Sequence, residues 1–352
     1  MSLGPLITDF SGLELDQIDR EILSHPMVGG VILFTRNYEN PEQIRAVIEQ
    51  LHSLRDPRLL VAVDHEGGRV QRFRSGFTEL PPAGMIGDLY DDDVDDALQV
   101  ARQCGWLMAF ELRSVGVDFS FAPVLDIRNP RSQIIDDRAF HRDPHPVARI
   151  AHAYIRGMHE AGMAAVGKHF PGHGTVVADS HVELPVDERN FDAIEKSDLV
   201  PFRLLATEME GIMPAHIVYP KIDSEAAGYS SVWIRQILRR ELGFQGIVFS
   251  DDLSMSGAAA AGSVDERAGL AIAAGCEVIL LCNDRIGTEQ LLSRLSCAIE
   301  PVTQVRMMRM HGKGDSPGML ALHDNEQWQA ANARISGLNQ TRVLDLGDDR
   351  LA

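Results

Sequence analysis

Between Lys168 and His181 the chain carries Lys168, His169, His173, Asp179 and His181 on one segment punctuated by Gly172 and Gly174. Imidazoles, an amine and a carboxylate at this density are groups that move protons near neutral pH. Asp179 and His181 stand two residues apart, close enough to meet across one loop turn. The aspartate would orient the imidazole and raise its basicity, which suits general acid and base work worth roughly 10² to 10⁴ in rate. Immediately upstream, Met163-Ala164-Ala165-Val166-Gly167 reads as a short buried strand. The polar groups begin where that strand should end, and in α/β proteins this end usually carries the site.

Two further segments have the same placement. Phe249 to Met255 puts Asp251 and Asp252 directly after an apolar run. One carboxylate can face inward while the other caps the following turn, and an inward carboxylate kept ionised by Lys or Arg can attack an electrophilic carbon. Spacing alone leaves open which of the two it is. Asp64 to Arg72 places a carboxylate at a strand tip, then Gly67, Gly68, Arg69 and Arg72. Such a set can hold sugar hydroxyls in charge-assisted hydrogen bonds, the plainer alternative being a helix cap and a surface ion pair. A metal would want His169, His173, His216 and a carboxylate such as Asp251 together. Pro171 and Gly172 rule out a regular helix presenting the first two on one face, so neither a metal nor a cofactor is expected.

The elements that must position these groups alternate. Runs at 30–34, 59–63, 119–125, 246–250 and 277–281 read as strands buried on both faces, as parallel sheets require. A less regular first strand lies near Leu6-Ile7 and another at Ile212-Met213. Helical periodicity marks 16–25, 41–55, 95–115, 145–161, 231–242, 264–274 and 286–297. Gly116, Gly162, Gly211, Gly243 and Gly275 each follow a helical stretch and precede an apolar run, as helix stops do. About eight strand and helix units predict a (β/α)8 TIM-type barrel in an α/β chain of one domain, with an open doubly wound sheet as the alternative. Arg36-Asn37, Asp64, Asp126, Lys168-His169, His216, Asp251-Asp252 and Asn283 all fall at strand C-terminal ends. A ring of catalytic loops needs that arrangement, so the barrel is favoured. The barrel is assigned to residues 1–300, and 301–352 to a tail that packs on it or frays, with a polar helix around 325–335.

The formal charge of −18, from 51 acidic against 33 basic residues, works against a nucleic-acid or anionic-membrane partner. A small-molecule ligand and a monomeric chain are expected. No leader-like segment opens the sequence and no apolar run approaches the roughly 20 residues that span a bilayer, so a cytoplasmic location is expected. Cys104, Cys276, Cys282 and Cys297 show no CxxC spacing and read as buried thiols.

With these residues in hand, the chain resembles the family 3 glycoside hydrolases, specifically the bacterial β-N-acetylglucosaminidases (β-hexosaminidases) of peptidoglycan recycling in their single-domain form. The matching stretches are Lys168 to Gly174 with Asp179-Ser180-His181, Phe249 to Met255, Asp64 to Arg72, and Gly30 to Asn37. The resemblance implies Asp251 as nucleophile, His181 as proton donor and acceptor, and Asp179 as its orienting partner. It implies that Asp64, Arg72, Arg138, Lys168 and His169 bind the N-acetylglucosamine unit. The implied reaction is retaining removal of terminal β-linked N-acetylglucosamine from muropeptide fragments, through a covalent glycosyl-aspartate. His65 departs from close relatives, which often carry glutamine there, beside an expected sugar ligand. The competing readings are a phosphorylase in which phosphate accepts the sugar, a metal-dependent barrel hydrolase, and a sugar-binding barrel without catalysis.

Overall fold

In the computed structural model, eight parallel strands hydrogen-bond in chain order: β1 (Leu6–Thr8), β2 (Val28–Leu33), β3 (Leu60–Val63), β4 (Phe119–Ser120), β5 (Val166–Phe170), β6 (Gly211–Pro214), β7 (Ile247–Asp252) and β8 (Val278–Leu280). β8 returns to pair with β1, and parallel bridges from Phe119 to Ala164 and Val124 to Lys168 join β4 to β5, closing the ring. The structure describes residues 2–130, 132, 134–173, 176, 185–259, 261–295, 299–314, 318 and 322–348. This is the expected (β/α)8 barrel.

Helices follow the strands in turn at Gln17–Leu23, Pro41–Ser53, Val94–Ser114, Pro144–Glu160, Leu199–Leu205, Val232–Glu241, Val264–Ala274 and Arg285–Arg294. Their starts are written locally. Asp16, Asn40, Asp93, Asp143, Ser263 and Asp284 each accept a first-turn backbone N–H, and such a cap is worth about 1 kcal/mol. Gly116, Gly162, Gly243 and Gly275 stop helices at φ of 99°, 76°, 72° and 120°. Gly211 does not. It opens β6, where a Cβ would sit 2.8 Å from the Phe249 ring and 3.0 Å from Val166, so close packing fixes the residue there and a helix stop does not.

Two strands differ from their sequence reading. The run at 119–125 pairs as a strand only over Phe119–Ser120, because Pro123 has no N–H to continue the ladder. β5 runs on through Phe170, so Lys168 and His169 belong to the strand rather than follow it; Leu125 N–H donates to the Lys168 carbonyl at 2.7 Å. The helix at Val232–Glu241 is of the wide, i→i+5 type, ending in a bond from Leu242 N–H to the Ile237 carbonyl at 2.9 Å. Helices at Ala83–Asp92, Phe191–Glu195 and Pro301–Arg309 were not expected.

Inside the ring, Phe249 of β7 meets Phe119 of β4 at 5.7 Å and Phe121 at 5.4 Å between ring centroids. β4 and β7 are not neighbours in the sheet, so these rings touch across the barrel axis, each contributing about 2 kcal/mol by burial.

Three acidic residues, each one position before a strand, clamp the N-terminal end. Asp118 accepts from Val61 N–H at 3.0 Å, Glu210 from Ala165 N–H at 3.0 Å, and Glu277 from Val248 N–H at 3.1 Å. Each also has a nitrogen-bearing side chain beside it: Arg58 at 2.8 Å from Asp118, the His159 imidazole at 3.1 Å from Glu210, and Arg239 and Arg306 at 2.5 Å from Glu277.

Beyond the barrel helices, Met307, Met310, Leu322 and Ile335 are buried against the body of the protein. The helix Glu326–Asp348 packs along Val94–Ser114. Among the described residues no helix is long and apolar enough to cross a membrane. Cys104, Cys276 and Cys282 are buried and free; Cys297 lies outside the described residues.

Candidate active site

At the C-terminal ends of the strands a cavity of about 570 Å³ opens, lined by Asp64, Glu66, Arg69, Arg72, Arg138, Lys168, His169, His173, Asp251, Asp252 and Asn283 among polar residues, with Phe34, Phe121 and Met213 among apolar ones. All five expected sugar-binding positions and the expected nucleophile border this one space. Asp179 and His181 lie outside the described residues.

Asp64 follows β3, and the chain then folds into a two-stranded hairpin, His65–Gly67 with Val70–Gln71. Residues two apart in extended chain share a side, so Asp64 and Glu66 reach the cavity together while His65 turns away. Lys168 Nζ, on β5, bridges Asp64 at 2.8 Å and Glu66 at 2.7 Å. Arg138, in a short turn between β4 and β5, grips both Glu66 oxygens at 2.8 Å. Arg72 approaches Asp64 at 3.6 Å and lies over the Phe34 ring, 5.7 Å from its centroid.

Burial works against charge at Glu66, but Arg138 and Lys168 hold its carboxyl well below the usual range. Burial likewise disfavours the Lys168 ammonium, and Asp64 with Glu66 raises its pKa above the ordinary lysine value. The result is a fixed lattice of alternating charge with donors and acceptors facing one cavity, suited to a hydroxyl-rich neutral ligand.

His169 is oriented by Asp126, itself fully buried. The ring donates from Nδ1 to Asp126 Oδ2 at 2.7 Å, which fixes its orientation. Asp126 Oδ1 accepts from His173 N–H at 2.6 Å. His173 is buried beside them, and desolvation, then the neighbouring His169, lowers its pKa to about 4.

The last two residues of β7 differ in what holds their carboxylates. Asp252 is committed to the chain: it accepts from Ser254 N–H at 2.9 Å, the Ser254 hydroxyl at 2.7 Å and Cys282 N–H at 3.0 Å. Burial raises its pKa to about 6 against those bonds. The Asp251 carboxylate accepts, among the described residues, only from Asp252 N–H at 2.8 Å. Burial disfavours its charge, yet His216, His169, that N–H and Lys168 together hold it below the usual carboxylate range. His216 stands behind the pair, donating from Nε2 to the Asp252 carbonyl at 3.2 Å. Asp251 is therefore an ionised carboxylate with open valence, and Asp252 a turn-forming one.

Glu66 and Asp126 carry no assigned role in the sequence reading. The Asp-x-Glu spacing at 64–66 was a usable signal for the first; nothing local marks the partnership of Asp126 with His169. Conversely, Asn37 serves structure, donating to the carbonyls of Phe10 at 3.0 Å and Gly12 at 2.8 Å. His65 packs its ring against Phe73 and Phe77, centroids 6.0 and 5.9 Å away, and does not border the cavity. No group of three or more metal-ligating side chains gathers among the described residues.

A family model described as "Glycosyl hydrolase family 3 N terminal domain" matches residues 7–311. The chain is 52% identical over 348 residues to a protein named beta-hexosaminidase from Thioalkalivibrio sulfidiphilus, spanning 98% of this chain and 99% of that one. It is 50% identical over 339 residues to a beta-hexosaminidase from Nitrosospira multiformis, spanning 96% and 97%. Among solved structures it resembles NagZ from Neisseria gonorrhoeae in complex with N-trifluoroacetyl-D-glucosamine, with a TM-score of 0.91 and 41% identity over 96% of this chain and 98% of that one.

Proposed function

The chain belongs to glycosyl hydrolase family 3 and is a glycoside hydrolase of the β-hexosaminidase type, and from that premise we propose a retaining exo-β-N-acetylglucosaminidase acting on peptidoglycan fragments in the cytoplasm. The observation that carries the mechanism is the ionised Asp251, its carboxylate accepting one hydrogen bond among the described residues, in the same cavity as the Lys168, Asp64, Glu66 and Arg138 lattice.

In this reading Asp64, Arg72, Arg138, Lys168 and His169 hold the terminal N-acetylglucosamine. Asp251 attacks the anomeric carbon; the bond to the leaving oxygen breaks as His181, steadied by Asp179, gives that oxygen its proton. A water then enters, His181 takes its proton, and the glycosyl ester at Asp251 is cleaved to release the sugar. The second carboxylate that such enzymes usually place roughly 5 Å from the nucleophile is replaced by an imidazole. The small, charge-balanced cavity and the net charge of −18 fit a small amino-sugar substrate rather than a polyanion. The fragment proposed is N-acetylglucosamine linked to anhydro-N-acetylmuramic acid, with or without peptide.

The test is incubation with a fluorinated N-acetylglucosamine analogue that traps the ester, followed by peptide mapping. The label is expected on Asp251; a label on Asp252, or none while turnover proceeds, overturns the mechanism. Product analysis with and without phosphate separates hydrolysis from phosphorolysis, since sugar phosphate as the main product would reject the former.

A further inference from the structure

Glu111 sits outside the cavity on the helix Val94–Ser114, 2% exposed. No cation pairs with it among the described residues. Its carboxylate accepts Thr78 N–H at 2.9 Å, the Thr78 hydroxyl at 2.5 Å and Trp328 Nε1–H at 2.8 Å. A buried carboxylate without a counter-charge is expensive, and burial raises its pKa above the ordinary value. What the cluster accomplishes is a link between the C-terminal helix and the loop at 73–82. Two more bonds repeat it: Asn332 Nδ2 donates to Thr78 Oγ1 at 2.6 Å and Asn339 Nδ2 to the Glu79 carbonyl at 2.8 Å.

From that loop the bonds run inward. Gln71 Nε2 donates to the carbonyls of Thr78 at 2.9 Å and Phe73 at 3.0 Å, and Gln71 Oε1 accepts from Leu80 N–H at 3.0 Å. Gly68 N–H donates to the Leu80 carbonyl at 2.9 Å, and a Cβ on Gly67 would lie 2.6 Å from the Pro81 carbonyl oxygen. The loop is thus the backing of the hairpin that carries Glu66 and is followed by Arg72. Trp328 itself lies beyond residue 311, where the family match ends.

We propose that Trp328 is a positioning residue for saccharide binding: through Glu111 and Thr78, the C-terminal helix sets where the hairpin holds Glu66 and Arg72 against Lys168 and Asp64. This rests on the cavity being the sugar site. Asp251 lies on β7, outside this chain of bonds, so binding should suffer and chemistry should not.

Trp328→Phe keeps an aromatic ring but removes the Nε1–H donor together with the five-membered half of the indole. On an aryl N-acetyl-β-glucosaminide it should raise KM about tenfold, with kcat within about twofold, and weaken inhibition by free N-acetylglucosamine in parallel. Thr78→Val should share the effect and Thr78→Ser should restore wild-type KM. A lowered melting temperature with KM unchanged would reduce the cluster to a stabilising contact and overturn the proposal. Hydrogen exchange separates this from the proposed function, because it needs no turnover. In Trp328→Phe the amides of 65–72 should exchange faster while those of 247–252 do not. Unchanged exchange at 65–72 overturns the positioning role even if the wild type cleaves no glycoside.

Discussion

The two ends of the barrel both bury carboxylates beside cations, yet they do different things. At the N-terminal end Asp118 gives its oxygens to Val61 N–H, Gly312 N–H and Arg58, every partner being part of the fold. At the C-terminal end Asp64, Glu66 and Asp251 face a cavity of about 570 Å³. Burial and pKa shifts are shared by both; Asp118, like Glu66, is held well below the usual carboxylate range. What separates Asp118 from Asp251 is whether the hydrogen-bonding capacity is consumed within the described residues. Perturbed carboxylates mark a site only where a ligand-sized space and unspent valence accompany them.

The comparison breaks most sharply at Asp251. Asp251→Asn should lower kcat by about 10⁴ or more while leaving the melting temperature within a few degrees, read by turnover and thermal unfolding on one sample. A variant that keeps a tenth of its activity would dissolve the distinction between the ends. Lys168→Met should follow, leaving Asp64 and Glu66 facing each other without their shared cation. A loss of kcat/KM of about 10²-fold is expected, together with destabilisation of about 3 kcal/mol; unchanged affinity for N-acetylglucosamine would remove the lattice from substrate binding.

Asp118→Asn tests the opposite end. It should cost about 3 kcal/mol in urea unfolding at neutral pH with activity per folded molecule preserved. Burial raises the Asp118 carboxyl, but His311, His52 and Arg58 lower it further, so the folded pKa is depressed. A depressed pKa stabilises above the unfolded value of about 3.9, and the contribution is lost as pH falls through the folded pKa. The gap between wild type and variant should therefore be widest near about pH 7 and narrow below about pH 4. A gap independent of pH would assign the loss to packing instead. The smallest effect belongs to His65→Gln: with the ring turned into Phe73 and Phe77, KM should stay within about twofold, and a larger change would place this side chain in contact with substrate.

The strand ends were legible because two local codes coincide there: apolar runs of buried-strand length, and polar groups directly after them, as at Val63-Asp64 and Ser250-Asp251. Helix boundaries were legible where a cap stands before and a positive-φ glycine after, as at Ser263 and Gly275. The choice between Asp251 and Asp252 was not, because it depends on Cys282 N–H and Ser254, which only the folded turn brings to Asp252. Gly211 misled because its small size answers to Phe249, from a different strand. The N-terminal clamps and the bond from Trp328 to Glu111 span tens to hundreds of residues, and no periodicity encodes such partnerships.

The clamps at the N-terminal end join strands two by two: Asp118 ties β4 to β3, Glu210 ties β6 to β5, and Glu277 ties β8 to β7. β1 and β2 are joined there by Leu6 N–H donating to the Met27 carbonyl at 3.1 Å and by Arg55, which donates to the carbonyls of Val28 at 2.6 Å and Ser2 at 2.7 Å. The ring is therefore assembled from quarter-barrels, and new chain termini should be tolerated unequally. A circular permutant opened between β4 and β5 leaves every clamp inside a contiguous segment. One opened between β5 and β6 asks Glu210 and Ala165 to find each other from opposite ends of the polypeptide, and should fold more slowly as the loop to be closed lengthens.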